Sequence, residues 1–134
     1  MKHQPPSAKE IYSESMRYID NANKMLSEKG KKEDGYYQDK KYIRMACHAA
    51  YLGAIESLRQ LIHAPKSQRM DILIYRNYLT KENKKMLNEL DNIYSILHLY
   101  GGYDGFGKYT IIQEGLNSAI AIINWVKAKL APTN

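Results

Sequence analysis

The chain has 134 residues, 44% of them hydrophobic and 25% charged, with a formal net charge of +6 and one cysteine. That length suits one domain burying roughly two-thirds of its unfolded surface. The lone thiol excludes an internal disulfide. No run of about 18 apolar residues is present to span a membrane. The start, MKHQPPS, lacks the apolar core of a secretory signal, so the expected setting is cytoplasmic.

One valine and three threonines argue against a sheet protein, and the twelve tyrosines recur at helical spacing rather than by alternation. The expected fold class is all-α. The basic balance permits a nucleic acid or an acidic partner, although Lys29–Lys32, Lys40–Arg44 and Lys81–Lys85 all sit among or beside acids. A solvated basic surface is the simpler account.

Taken in order, residues 1–6 form a tail with nothing to bury. Ser7 to Glu10 is a capping box, and the helix it opens places Ala8, Ile11, Tyr12, Ser15, Ile19, Ala22 and Leu26 on one face before Gly30. KGKKEDG then reads as a charged turn between antiparallel helices. Asp39 is an N-cap candidate for the central helix, whose segment Tyr42–His63 carries Ile43, Ala46, Cys47, Ala50, Ala54, Ser57, Leu58 and Leu61 on a broad arc. Its small residues allow close approach of neighbouring helices. Glu56, Arg59, Gln60 and His63 read as a solvated strip.

Pro65 ends that helix and Ser67 can cap the next. The apolar stripe from Ile72 to Leu97 predicts a short helix near 68–79 and a long one near 81–100, with Thr80 capping the second. Gly101 and Gly102 end it, and GGYDGFGKY is an irregular loop whose Tyr103, Phe106 and Tyr109 should fold back over the end of the fold. Thr110 to Gln113 reads as a second capping box, opening a last helix that stops at Ala131-Pro132, with a tail over 131–134. Four long helices with short links imply antiparallel neighbours. The expected architecture is one domain over residues 1–134, an up-down four-helix bundle with an additional short helix.

Few constellations carry chemistry. Arg44, His48 and Tyr51 share a flank of the central helix, a pattern able to bind phosphate or move protons near neutral pH, or simply to let polar tips reach water. Tyr103, Lys108 and Tyr109 mark a loop surface ahead of a helix N-terminus, but the loop matches neither phosphate-binding glycine motif. Cys47 lies on the apolar arc and reads as core. The histidines show no metal spacing, so neither metal nor cofactor is expected.

The succession SESMRYIDNANKML, YIRMACHAAYLGAIESLRQLI, LNELDNIYSILHLYGGYDGF and TIIQEGLNSAIAIINWVKAKL resembles the HEPN superfamily of helical domains. It is also similar to a family of uncharacterised bacterial helical proteins. The HEPN resemblance implies a small-residue second helix packed centrally, dimerisation, and RNA or a nucleotide as partner, in some members as toxin–antitoxin components. Active members are metal-independent ribonucleases with four to six residues between Arg and His. Arg76-Asn77-Tyr78 resembles the start of that motif, yet Lys81, Glu82 and Asn83 stand where the histidine belongs. The nuclease residues do not carry over. What remains is a non-catalytic interaction module, expected to dimerise through Met45, Tyr51, Tyr100 and Tyr103.

Overall fold

The computed structural model describes residues 4–132, so the expected tails fall partly outside the described residues. The fold is mostly helical: α1 (Ala8–Lys29), α2 (Lys40–Ile62), α3 (Ile72–Glu82), α4 (Lys84–Ile93) and α5 (Tyr109–Leu130). Between α1 and α2 lies a hairpin of β1 (Lys32–Glu33) and β2 (Tyr36–Tyr37). A 3₁₀ turn covers Lys66–Gln68, and α4 runs on into a π-helix over Tyr94–Gly101.

Helix starts follow local chemistry. Ser7 accepts the Glu10 N–H at 3.1 Å and Asp39 accepts that of Lys41 at 3.2 Å. From there α1 lies along α2, with Ser15 Oγ 2.6 Å from Ser57 Oγ in the buried interface. A residue near the start of α1 thus meets one near the end of α2, which makes the pair antiparallel. The small-residue expectation holds here, because a Cβ on Gly53 would stand 2.8 Å from Tyr18 Cβ and 2.9 Å from the Ser15 carbonyl oxygen. Asn92 meets Ser118 while Ile96 and Leu97 meet Gly115, which makes α4 with its π-helix antiparallel to α5; His98 meets Tyr51 while Gly101 meets Cys47, which makes the π-helix antiparallel to α2. The core of Ile19, Ile43, Ala50, Leu58, Leu90, Leu97, Leu116 and Ile123 lies between these helices. The arc expected of α2 is buried except at its end, where Leu61 is only partly covered.

Four expectations need correction. The charged link is a hairpin, because Asp34 (φ 53°) and Gly35 (φ 80°) both occupy the left-handed region that a tight two-residue hairpin turn requires. The break in the 72–97 stripe falls at Asn83, which is extended (φ −163°) and accepts the Met86 N–H at 3.0 Å. Thr80 instead stays inside α3 and donates to the Arg76 carbonyl at 2.6 Å. Asp71, not Ser67, caps α3. Finally, α5 starts at Tyr109 without a side-chain cap, since its first N–H donates to the Gly35 carbonyl at 2.9 Å. The hairpin turn replaces the capping box expected at Thr110.

Candidate functional surface

The flank expected on α2 divides between water and core. Arg44 and His48 are exposed, but Tyr51 is 2% exposed. A helical wheel places Tyr51 beside His48, yet the π-helix covers it: the Tyr51 ring stacks on His98 at 4.9 Å, and the Tyr94 ring meets His98 at 5.1 Å. Burial, with Tyr94 and Tyr75 adding to it, pushes the Tyr51 phenol well above its usual range. The three side chains therefore do not form one polar edge.

His98, which the sequence did not single out, takes the place of Tyr51 beside His48. Burial first, and the His48 charge second, lower its pKa below 6.5. His98 thus binds its proton less readily folded than unfolded. Its contribution to stability is full above pH 6.5 and is lost as the pH falls through 6.5 toward the lower folded value. Urea midpoints should drop between pH 7.5 and pH 5, and His98→Phe, which keeps a stacked ring, should reduce that drop. An equal drop in the variant would assign the pH dependence to other groups.

The second expected surface also divides. Tyr103 is 76% exposed at the apex of its loop, because Gly102, Asp104 and Gly105 donate back to Leu97, Leu99 and Gly101 and hold the loop tightly on the helix end. It does not fold over the end as expected, and Phe106 does so only in part, half exposed with its ring 5.4 Å from Tyr100. Tyr109 does pack inward, against Tyr37 at 5.9 Å. Lys108 is exposed, while its backbone N–H donates to the Tyr100 hydroxyl at 3.1 Å.

Arg76 is not free: it forms an ion pair with Asp91 that ties α3 to α4. Arg59 departs furthest from expectation. Assigned to a solvated strip, it is 8% exposed and donates to Glu56 Oε1 from Nε at 2.9 Å and to the Ala64 carbonyl at 2.9 Å. The Glu56–Arg59 spacing of three was the available signal. Cys47 lies in the core, its thiol pushed up to about 12 by burial. Among the described residues no cluster of His, Cys, Asp or Glu is placed to hold a metal ion. No helix among them is long and apolar enough to cross a membrane.

One feature gathers these side chains at the hairpin end of the fold. Of the seven large apolar side chains left exposed among the described residues, five (Tyr36, Met45, Leu99, Tyr103 and Phe106) lie there. The other two, Met70 and Leu73, lie at the α3 end. Met45 is one turn from His48, Leu99 adjoins His98, and Lys40 Nζ stands 6.0 Å from the Phe106 ring. Leu99 and Phe106 join Met45 and Tyr103, which the sequence had already marked.

A solved structure of a protein of unknown function from Dyadobacter fermentans is similar, with a TM-score of 0.85 and 39% sequence identity, covering 94% of this chain and 100% of that one. A comparison with curated proteins gives no match. Residues 10–128 match the family described as a domain of unknown function (DUF5618), and the chain belongs to that family.

Proposed function

We propose that the chain is one domain, an antiparallel up-down four-helix bundle with α3 as the additional short helix, serving as a non-catalytic interaction module that pairs with a second copy of itself. The alternating directions of α1, α2, α4 with its π-helix, and α5 support the bundle. A HEPN-like helix order belongs to this reading, supported by the central, small-residue α2. The Arg76–Asp91 pair weighs against the nuclease half of that resemblance.

The gathering of Tyr36, Met45, Leu99, Tyr103 and Phe106 at one end carries the proposal. A monomer rarely leaves so many large apolar groups together without a use for them, and aromatic residues and methionine are enriched at interfaces. Charge favours a second copy as occupant. Lys40, Lys41 and Arg44 border the patch on α2, and the exposed Asp104 lies beside them, in the loop whose Gly105 packs against Arg44 and Lys40. A patch that carries both charge signs can be complementary to its own twofold image, with the Arg44 flank of each copy facing the Asp104 loop of the other. A stable pair needs about 800 Å² from each partner, so the apolar groups must be joined by this charged rim.

Light scattering at tens of micromolar should give about twice the 15.5 kDa of one chain. Leu99→Ser with Tyr103→Ser, both on exposed side chains, should return the mass to one chain without loss of helical signal. A strict monomer before substitution ends the proposal. A dimer that survives the double variant ends the assignment to this surface.

A further inference from the structure

We infer that the cleft between the end of α1, the hairpin and the start of α5 is a binding site for a phosphorylated small molecule with an aromatic body. The site is independent of the self-association proposed above. The cleft has a volume of about 760 Å³, within the range of small-molecule sites. Lys24, Lys31 and Lys32 line it, with Glu28 the one acid among the lining residues.

The lysines are the argument for an anion. The ion pairs among the described residues are Arg17–Glu14, Arg59–Glu56 and Arg76–Asp91, so none of these three lysines is held in an ion pair. Lysines from α1 and from the hairpin line the same cleft, where a phosphate dianion meets positive charge from both. One of the three side chains, Lys32, is also held in place, and the backbone of Lys31 is fixed beside it. Lys32 is fixed in the hairpin opposite Tyr37, and its Nζ stands 3.6 Å from the centroid of the Tyr109 ring. Lys31 is in the left-handed region (φ 54°), where its carbonyl accepts the Gln38 N–H at 3.1 Å. The start of α5, which no side chain caps, adds a favourable field without being needed to define the site.

The tyrosines are the argument for an aromatic body. Tyr37 and Tyr109 meet at 5.9 Å with their rings tilted by 53°, and Leu26 extends their wall. Gln113, on the next turn of α5 from Tyr109, supplies an amide that can donate or accept. Tyr109 and Gln113 also border a neighbouring cleft of about 600 Å³, which lets a ligand extend past the lysines.

Phenyl phosphate is the test ligand, with inorganic phosphate and phenol as its two halves. In an amide NMR titration of the full chain at low salt, phenyl phosphate should give saturable shifts at Lys31, Lys32, Tyr109 and Gln113, and bind more tightly than either half. Lys31→Ala with Lys32→Ala should weaken it about tenfold, or about 1.4 kcal/mol. Tyr109→Leu should weaken phenyl phosphate more than inorganic phosphate, since it removes the aromatic wall as well as the ring that holds Lys32, and Lys129→Ala, on the exposed far end of α5, should change neither. Absence of saturable shifts, shifts centred elsewhere, or equal affinity in the double lysine variant would each overturn the site.

Discussion

Arg59→Met is expected to destabilise the fold by about 3 kcal/mol, the low end of the range for breaking a buried ion pair. The low end applies because the Glu56 side chain keeps 17% of its exposure. The guanidinium satisfies Glu56 Oε1 twice, at 2.9 and 2.5 Å, and also the Ala64 carbonyl. Glu56 Oε2 already lacks a protein partner, so removing Arg59 leaves a whole carboxylate poorly solvated. The same residue closes the corner after α2 through its backbone, where its carbonyl accepts the N–H of His63 and, at 3.1 Å, that of Ala64. His63 itself turns the corner in the left-handed region (φ 57°).

Beyond that corner, α3 inserts Tyr75 beside Arg59 and Glu56, and its hydroxyl donates to the Arg69 carbonyl at 3.0 Å. Losing Arg59 should therefore loosen α3 as well as lower global stability, seen as faster amide exchange across Ile72–Glu82. Urea denaturation measures the global effect. Glu56→Leu combined with Arg59→Met should recover most of it, because an apolar pair in place of a buried ion pair is often neutral. A single-variant loss below about 1 kcal/mol would show that the pair is worth no more than a surface ion pair.

Arg59 also shows where sequence reading stops. Periodicity assigns each residue a direction on its own helix, and it did so correctly for Ile43, Ala46, Cys47, Ala50 and Leu58. Which direction is covered depends on distant segments: Tyr51 by the π-helix, Arg59 by the corner leading to α3. Caps were legible where one residue alone could serve, as at Ser7 and Asp39. They were misread where two candidates competed, as with Thr80 against Asn83, or where the hairpin turn supplied the acceptor for Tyr109. Strands of two residues are too short to alternate, so only Asp34-Gly35 hinted at the hairpin.

The candidate surface was half legible. Met45 and Tyr103 stood out as residues, and so did Tyr109, but the grouping of the first two with Leu99 and Phe106, and of Tyr109 with the hairpin lysines, depends on how distant helix ends meet. The π-winding left one trace, the buried positions Ile93, Leu97 and Gly101 in successive steps of four. An α-helical stripe alternates threes and fours instead.

Gly101, the last residue of that π-helix, carries the second large effect: Gly101→Ala is expected to cost about 3 kcal/mol, the upper end for overpacking. An added Cβ would run into the Cys47 sulfur, with Cys47 Cβ at 3.0 Å and Ile112 Cδ1 at 3.2 Å. Cys47 and Ile112 are each 0% exposed on long helices, so neither can swing aside into water. If the contact with sulfur is the cause, the cost must be conditional on it. Cys47→Ala alone removes one buried atom for about 1 kcal/mol, and the two alanines together should cost clearly less than the sum of the singles. A coupling of at least 1 kcal/mol in a denaturation cycle is the expected result.

The thiol gives a second readout of the same contact. With its pKa near 12 and no exposure, Cys47 should react with an alkylating reagent only through opening of the structure. Gly101→Ala should accelerate that labelling at neutral pH in proportion to the stability it removes. Additive costs together with unchanged labelling would mean that the π-helix does not close on Cys47, and the stacking of His98 between Tyr51 and Tyr94 would lose its support with it.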